Sequence, residues 1–402
     1  MKSFAPAAAR RHPSDSSSRT SSSSRRGRAM VPARSTRRRL GERAPRNSSG
    51  GLNNDAIVID VRVERLVLDA DDAKEEEAFE VVRATATRKT TKTEDECDDD
   101  GILCLKTEDE CDDDGILCLC VPGNPGVAEY YSNFARALSE ALLKEEEQQQ
   151  NENKVRRRSV TVECVGFLGH YADGSLTSAK TRRWFTLEEQ KAHVLKYVHS
   201  RVEEENACFL VGHSIGAHVA MHAVKEMREE DVKKMVGLMP FLHVNERSNV
   251  QKFLAWLVSQ RVVVRVVAKV LGFMQKFKAL KKTIERSATR GMKCELGISV
   301  TKRWAREMSL VNMALMGDTE FKFLRDWKRN VVDVLKAHAK KICFVYAKED
   351  HWGPLHQRDE LMEEIGLEEL EIVTDESYEH AFVLDDESSK KLAEQCARML
   401  LN

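Results

Sequence analysis

The segment Gly212-His213-Ser214-Ile215-Gly216 places one serine between two glycines, after the apolar run Phe209-Leu210-Val211 and before Ala217-His218-Val219-Ala220. In a strand-then-helix context this G-x-S-x-G spacing is a nucleophile elbow. The serine sits on a tight, strained turn, the glycines let neighbouring backbone come close, and the helix start supplies free N–H groups. A serine hydroxyl attacks a carbonyl only when a base removes its proton, and the base needs a carboxylate to orient it. In this architecture the chain order is serine, acid, histidine. His380, in Ser377-Tyr378-Glu379-His380-Ala381-Phe382, follows the last expected strand and is the best-placed base; His351 and His356 are alternatives that lie close to the preceding strand end. The acid belongs at the end of that strand, where Glu349 and Asp350 stand, and Asp350 is preferred because Glu349 points the other way along an extended segment. The loop Pro122-Gly123-Asn124-Pro125-Gly126 is stiffened by two prolines. It offers the N–H of Asn124 to join that of Ile215 as an oxyanion hole.

These residues need elements to hold them. Apolar runs predict strands over 56–61, 64–68, 116–121, 160–165, 208–212, 235–240, 341–346 and 370–373, the first two forming an antiparallel edge. Helical patterns cover 128–143, 187–202, 215–227, 355–365 and 388–400. Strands without polar alternation, separated by helices, imply an α/β fold: a mostly parallel central sheet with helices on both faces. The alternation breaks over 241–330, which is long enough to be a helical lid. The main domain is expected to span 51–402.

Composition limits the function further. Residues 1–50 hold Lys2 and twelve arginines against Asp15 and Glu42, with twelve serines and no apolar period. They read as a disordered segment outside the fold, either a transit peptide for a chloroplast or mitochondrion or a plain basic tail. The tail's net +11 leaves about −12 for the rest of a chain whose total is −1, which excludes a general nucleic-acid binder. Residues 92–105 recur unchanged as 106–119. The second copy leads into the Pro122 loop and takes the strand, so the first is an inserted surface segment or an extra edge strand. Residues 144–154 (KEEEQQQNENK) read as a polar loop after a helix. None of the ten cysteines forms a C-x-x-C pair; they read as small buried hydrophobes, and neither a metal nor a cofactor is expected.

The 250–286 stretch carries nine basic side chains and one acid, Glu285. Arg261, Arg265, Lys269 and Lys276 fall on one helical stripe against a broad surface of valines and Phe273. That pattern suits an interfacial helix, with the basic stripe among phosphate head groups. The alternative is a lid helix packed on the protein itself.

The PGNPG loop with Tyr130, Tyr131 and Phe134, Gly169-His170, 187–198, GHSIGA at 212–217, Met239-Pro240, Asp350-His351-Trp352 and His380-Ala381-Phe382 together resemble the lipid-droplet-associated hydrolase family. The resemblance covers about 115–400, with Asp350-His351-Trp352 where the family has Asp-Pro-Trp. It implies an α/β-hydrolase fold, Ser214, Asp350 and His380 as the triad, a lipid ester substrate (sterol ester or acylglycerol), and peripheral attachment to a lipid droplet or membrane surface. Two other functions use the same scaffold: a lipid-droplet binding protein with little turnover, and an acyltransferase.

Overall fold

Apolar runs without polar alternation become the inner strands of a nine-stranded sheet. The computed structural model of the chain describes residues 38–39, 56–68, 77–89, 115–149, 159–174, 184–366 and 370–402. In chain order the strands are β1 (Arg38–Arg39), β2 (Ala56–Leu68), β3 (Glu77–Lys89), β4 (Ile116–Val121), β5 (Ser159–Val165), β6 (Cys208–His213), β7 (Val232–Leu238), β8 (Ile342–Ala347) and β9 (Glu371–Asp375). Their spatial order is β1-β2-β3-β5-β4-β6-β7-β8-β9. From β5 to β9 the pairs are parallel; β1, β2 and β3 join as an antiparallel flank. Every residue of β4, β6 and β8 is buried, as a strand covered on both faces requires.

The helices are α1 (Ser132–Gln149), α2 (Leu187–Glu205), α3 (Ile215–Glu226), α4 (Asn249–Ser259), α5 (Arg261–Met274), α6 (Lys278–Ala288), α7 (Glu295–Trp304), α8 (Glu307–Phe323), α9 (Asp333–His338), α10 (Leu355–Ile365) and α11 (Asp386–Leu401). They divide between the two faces. One core joins Val82, Ala84, Cys118 and Cys120 to Leu138 and Leu142 of α1 and Leu392 and Cys396 of α11. The other joins Phe79, Val81, Leu117 and Leu119 to Val194 and Tyr197 of α2 and Val219 of α3. Side chains in a strand alternate between faces, so β3 and β4 feed both cores. Seven cysteines, including Cys118, Cys120 and Cys164, are free and buried as small hydrophobes.

The edge departs from expectation. Residues 56–61 and 64–68 form one strand: Ile57, Ile59, Val61 and Val63 keep one alternation through the expected gap and pack on the same core. Its partner, β3, was not foreseen, because Arg83, Thr85 and Thr87 interrupt the apolar run. These residues occupy the half-buried positions that alternate with buried Ala84 and Ala86. Glu163 of β5, wholly buried, locks this region: it accepts from Arg83 Nε at 2.6 Å, Arg201 Nε at 3.0 Å and the Tyr197 hydroxyl at 2.8 Å. Two residues of the basic tail, Arg38 and Arg39, pair with Val63 and Arg62. The rest of 1–50 and the first repeat copy, 92–105, lie outside the described residues. The polar run at 144 begins as helix rather than loop, since α1 continues to Gln149, with Lys144 paired to Glu140 one turn back.

Sheet order reverses direction at β4. The chain goes from β4 outward to β5, then crosses to β6 on the other side, which creates a crevice at the carboxyl ends of β4 and β6. Six helices, α4 to α9, stand between β7 and β8 in sequence, and the first five, α4 to α8, take up most of 241–330.

Candidate active site

Ser214 follows the last residue of β6 and caps α3 with φ 54° and ψ −123°. Such a left-handed conformation is strained for a residue with a Cβ. Backbone bonds hold it: the Ser214 N–H donates to the Leu238 carbonyl at 3.0 Å, and its own carbonyl accepts from the N–H groups of Ala217 and Phe241 at 3.0 and 3.1 Å. Both elbow glycines are dictated by space. A Cβ at Gly216 would fall 2.3 Å from the Val121 carbonyl oxygen, and one at Gly212 2.5 Å from the Ala217 Cα.

The loop after β9 brings His380 beside this turn. Its Nε2 lies 3.0 Å from Ser214 Oγ and its Nδ1 2.8 Å from Asp350 Oδ2, in the loop after β8. A carboxylate only accepts, so Nδ1 carries the proton and Nε2 is left to accept from the serine hydroxyl. Burial acts to raise the Asp350 pKa. The hydrogen bond and charge of His380, with the N–H groups of Trp352 and Gly353, outweigh it and hold the carboxyl below its ordinary value. Of the alternatives, Glu349 and His351 are exposed and His356 is half-buried, whereas Asp350 is buried.

The loop after β4 closes the other side. A Cβ at Gly123 would be 2.9 Å from the Ser214 Cβ, so Asn124 stands one residue from contact with the nucleophile. Ile215 opens α3, and the first N–H groups of a helix lack an intrahelical acceptor. The Asn124 side chain is pinned by α8: Nδ2 donates to the Met313 carbonyl and to Glu320 Oε1, both at 3.0 Å. Glu320 is deeply buried, and burial pushes its pKa up to about 8 against the opposing pull of the Asn124 bond.

A second buried chain, absent from the sequence reading, joins the same pieces. The Gly123 N–H donates to the Tyr131 hydroxyl at 2.9 Å, which lies 2.5 Å from His213 Nδ1; His213 Nε2 lies 2.8 Å from the His380 carbonyl. The directions are forced. The His380 carbonyl only accepts, so Nε2 bears the proton, Nδ1 accepts, and Tyr131 must donate to it. Burial, assisted by the neighbouring His380, lowers the His213 pKa to about 3 and keeps the ring neutral. Oxyanion loop, elbow and histidine loop thus share one network. No local spacing announces it, because Tyr131 and His213 are 82 residues apart.

Away from the crevice, α4 to α6 present apolar side chains to the outside. Among the described residues, every exposed large hydrophobic except Val58 lies between 250 and 280, including Phe253, Trp256, Val262, Val266, Val270 and Phe273. The orientation of α5 explains this. Ala268 is buried against Val311 and Leu315 of α8, and a Cβ at Gly272 would meet Glu307 at 3.2 Å. Arg261 and Arg265 lie on that same protein-facing side: Arg261 reaches Asp318 at 3.5 Å and Arg265 stacks over Trp184 at 4.5 Å. All four residues of the expected basic stripe are exposed. Within it, Arg261 and Arg265 reach Asp318 and Trp184, whereas Lys276 lies over the Phe273 ring at 5.8 Å. No helix among the described residues is long and apolar enough to cross a membrane.

The sequence model of a family described as lipid-droplet associated hydrolase matches residues 114–383. The lipid droplet-associated hydrolase of Gallus gallus is 25% identical over 285 residues, 68% of this chain and 81% of that protein. The Homo sapiens protein of that name is 22% identical over 281 residues, 65% of this chain and 78% of its own length. Among solved structures, the peroxisomal alpha-beta-hydrolase Lpx1 of Saccharomyces cerevisiae aligns with a TM-score of 0.52 at 11% identity, covering 87% of this chain and 90% of that one. Haloalkane dehalogenase DbeA of Bradyrhizobium elkani aligns at 0.51 and 10% identity, covering 85% and 99%. These two likenesses establish the fold as that of the α/β-hydrolases.

Proposed function

Because the chain belongs to the lipid-droplet-associated hydrolase family, we propose that it cleaves a lipid ester at a lipid surface through an acyl-enzyme on Ser214. The observation that carries this reading is the continuous Ser214–His380–Asp350 hydrogen-bond chain at the carboxyl ends of the strands. Ser214 Oγ attacks the ester carbonyl while His380 Nε2 takes its proton. Asp350, ionised and buried, stabilises the imidazolium and fixes its tautomer. The N–H groups of Asn124 and Ile215 receive the oxyanion of the tetrahedral intermediate. His380 then protonates the leaving alcohol. Water, deprotonated by the same histidine, hydrolyses the acyl-enzyme and releases a carboxylic acid.

The substrate class, a sterol ester or acylglycerol, is suggested by the outward face of α4 to α6. Contiguous exposed apolar surface on a folded chain marks an interaction site. The flanking Lys269, Lys276, Lys278 and Lys282 suit phosphate head groups. In this reading α4 to α8 form a cap, the chain lies on the droplet monolayer, and α4 to α6 are its contact.

The test is a panel of sterol esters and acylglycerols assayed with wild type and Ser214→Ala, alongside labelling by a fluorophosphonate. Removal of a nucleophile costs at least about 10³-fold in kcat, so the variant should lose both label and turnover. Equal hydrolysis by purified Ser214→Ala would refute the acyl-enzyme. Labelling of wild type with no turnover of any ester would favour the binding protein or the acyltransferase.

A further inference from the structure

A cavity of about 320 Å³ opens between α4 and α8. Its walls include Ala255, Trp256 and Ser259 on one side and Phe321, Lys322 and Arg325 on the other. That volume is at the small end of ligand pockets, which begin at about 300 Å³. The outer wall is Trp256, an exposed ring on the face assigned to lipid, tilted against Phe253 at 5.9 Å between centroids. Phe321, buried, belongs to two structures at once. It lines the cavity, and it is one corner of an aromatic triangle with Phe241 at 5.9 Å and Trp352 at 6.4 Å, closed by the Phe241–Trp352 contact at 5.6 Å. The other two corners touch the catalytic machinery: Trp352 lies 6.3 Å from the His380 ring, and the Phe241 N–H is bonded to the Ser214 carbonyl.

We infer that this cavity is the port by which an acyl chain passes from the lipid surface toward Ser214, with Phe321 as its inner gate. Phe321 lines the cavity and contacts Phe241, whose N–H is bonded to the carbonyl of Ser214. Aromatic rings form an apolar wall that a methylene chain can displace by side-chain rotation, without backbone unfolding. The mouth is bounded by the exposed ring of Trp256, beside Phe253, so an ester could leave the monolayer without crossing water. Lys322 near the end of α8 and Arg325 just after it would meet the phosphates of the surrounding monolayer, and Lys322 is held in place by Asp318 at 2.7 Å. The inference rests on the serine-hydrolase reading and adds to it the route and the part of the substrate that takes it.

The experiment uses full-length wild type and a fluorophosphonate with a dodecyl chain ending in a photoreactive diazirine. After attachment to Ser214 and irradiation, crosslinks should map to peptides containing residues 255–259 or 321–325. Crosslinks found only elsewhere overturn the port. Two filling variants, Ala255→Trp and Ser259→Trp, supply a kinetic test. The ratio of kcat/KM for p-nitrophenyl laurate to that for p-nitrophenyl acetate should fall about tenfold or more in either. A ratio within twofold of wild type in a variant that still labels at Ser214 overturns the port while leaving the serine-hydrolase reading intact. A wild type that neither labels nor hydrolyses overturns that reading, and the port with it.

Discussion

At the scale of single residues, Tyr131 is the part of the site whose removal is most informative. Its hydroxyl accepts from Gly123 and donates to His213, so Tyr131→Phe leaves a buried N–H and a buried ring nitrogen without partners while keeping the ring beside Phe382. An unmet buried polar group costs about 1–3 kcal/mol. Part of that cost should appear as lost register between the oxyanion loop and the elbow. We expect kcat on a soluble ester to fall about tenfold, equivalent to about 1.4 kcal/mol, with KM moving less than twofold. A steady-state comparison checks this; an unchanged kcat with lower stability would reduce Tyr131 to packing. Ser214, Asp350 and His380 were legible in the sequence because each follows its own strand in an order that the fold constrains. Tyr131 and His213 were not, because their partnership exists only after β4 and β6 lie side by side. The same holds for Glu320, which reaches the oxyanion loop from 196 residues away.

At the scale of elements, sequence periodicity revealed that α5 has two faces but not which of them turns inward. Seven apolar side chains against a basic stripe would ordinarily put the apolar side on the core. Here the side with alanine and glycine packs on α8, since small residues allow close approach, and the arginines flanking it reach Asp318 of α8 and Trp184. The missed strand β3 has a similar cause: its alternation of Ala with Arg and Thr becomes recognisable only beside β5 and Glu163. The reversed face leads to a prediction in which magnitudes decide. Full burial of a valine is worth roughly 1.5 kcal/mol or more, whereas a basic residue near an anionic surface contributes about 1 kcal/mol that salt screens. Changing Val262, Val266 and Val270 to Ser should therefore weaken liposome flotation more than changing Lys269 and Lys276 to Glu, and wild-type binding should persist in high salt. Stability should hardly change, because all three valines are exposed. Flotation of the two variants in parallel, with urea unfolding of each, measures this; a larger loss from the lysine pair would return the attachment to charge.

At the scale of the whole molecule, two sets of buried groups set opposite pH limits on folding. Burial lowers His170, His193 and His243 to about 4 and His213 and His218 to about 3. Below their ordinary value near 6.5 the unfolded chain takes up protons that the folded chain refuses, so stability falls as pH drops. Burial raises Glu80 to about 7 and Glu320 to about 8. Above their ordinary value near 4.5 the unfolded chain releases protons that the folded chain keeps, so these two lower stability as pH rises. Between about pH 4.5 and 6.5 five histidines oppose two carboxyls, a net of about three protons, and stability climbs; above that only the carboxyls remain and it declines. The urea midpoint should peak near pH 6.5, and Glu320→Gln should flatten the alkaline side; a midpoint still rising through pH 8 would contradict the burial of both carboxyls. The outward valine face has a consequence of another kind. A catalyst that works while adsorbed meets its substrate in two dimensions, so its working concentration is molecules per unit of interface. The same mass of lipid dispersed as many small droplets should be consumed faster than as a few large ones, and the rate should level off when the surface is fully occupied, even with abundant ester inside the droplets.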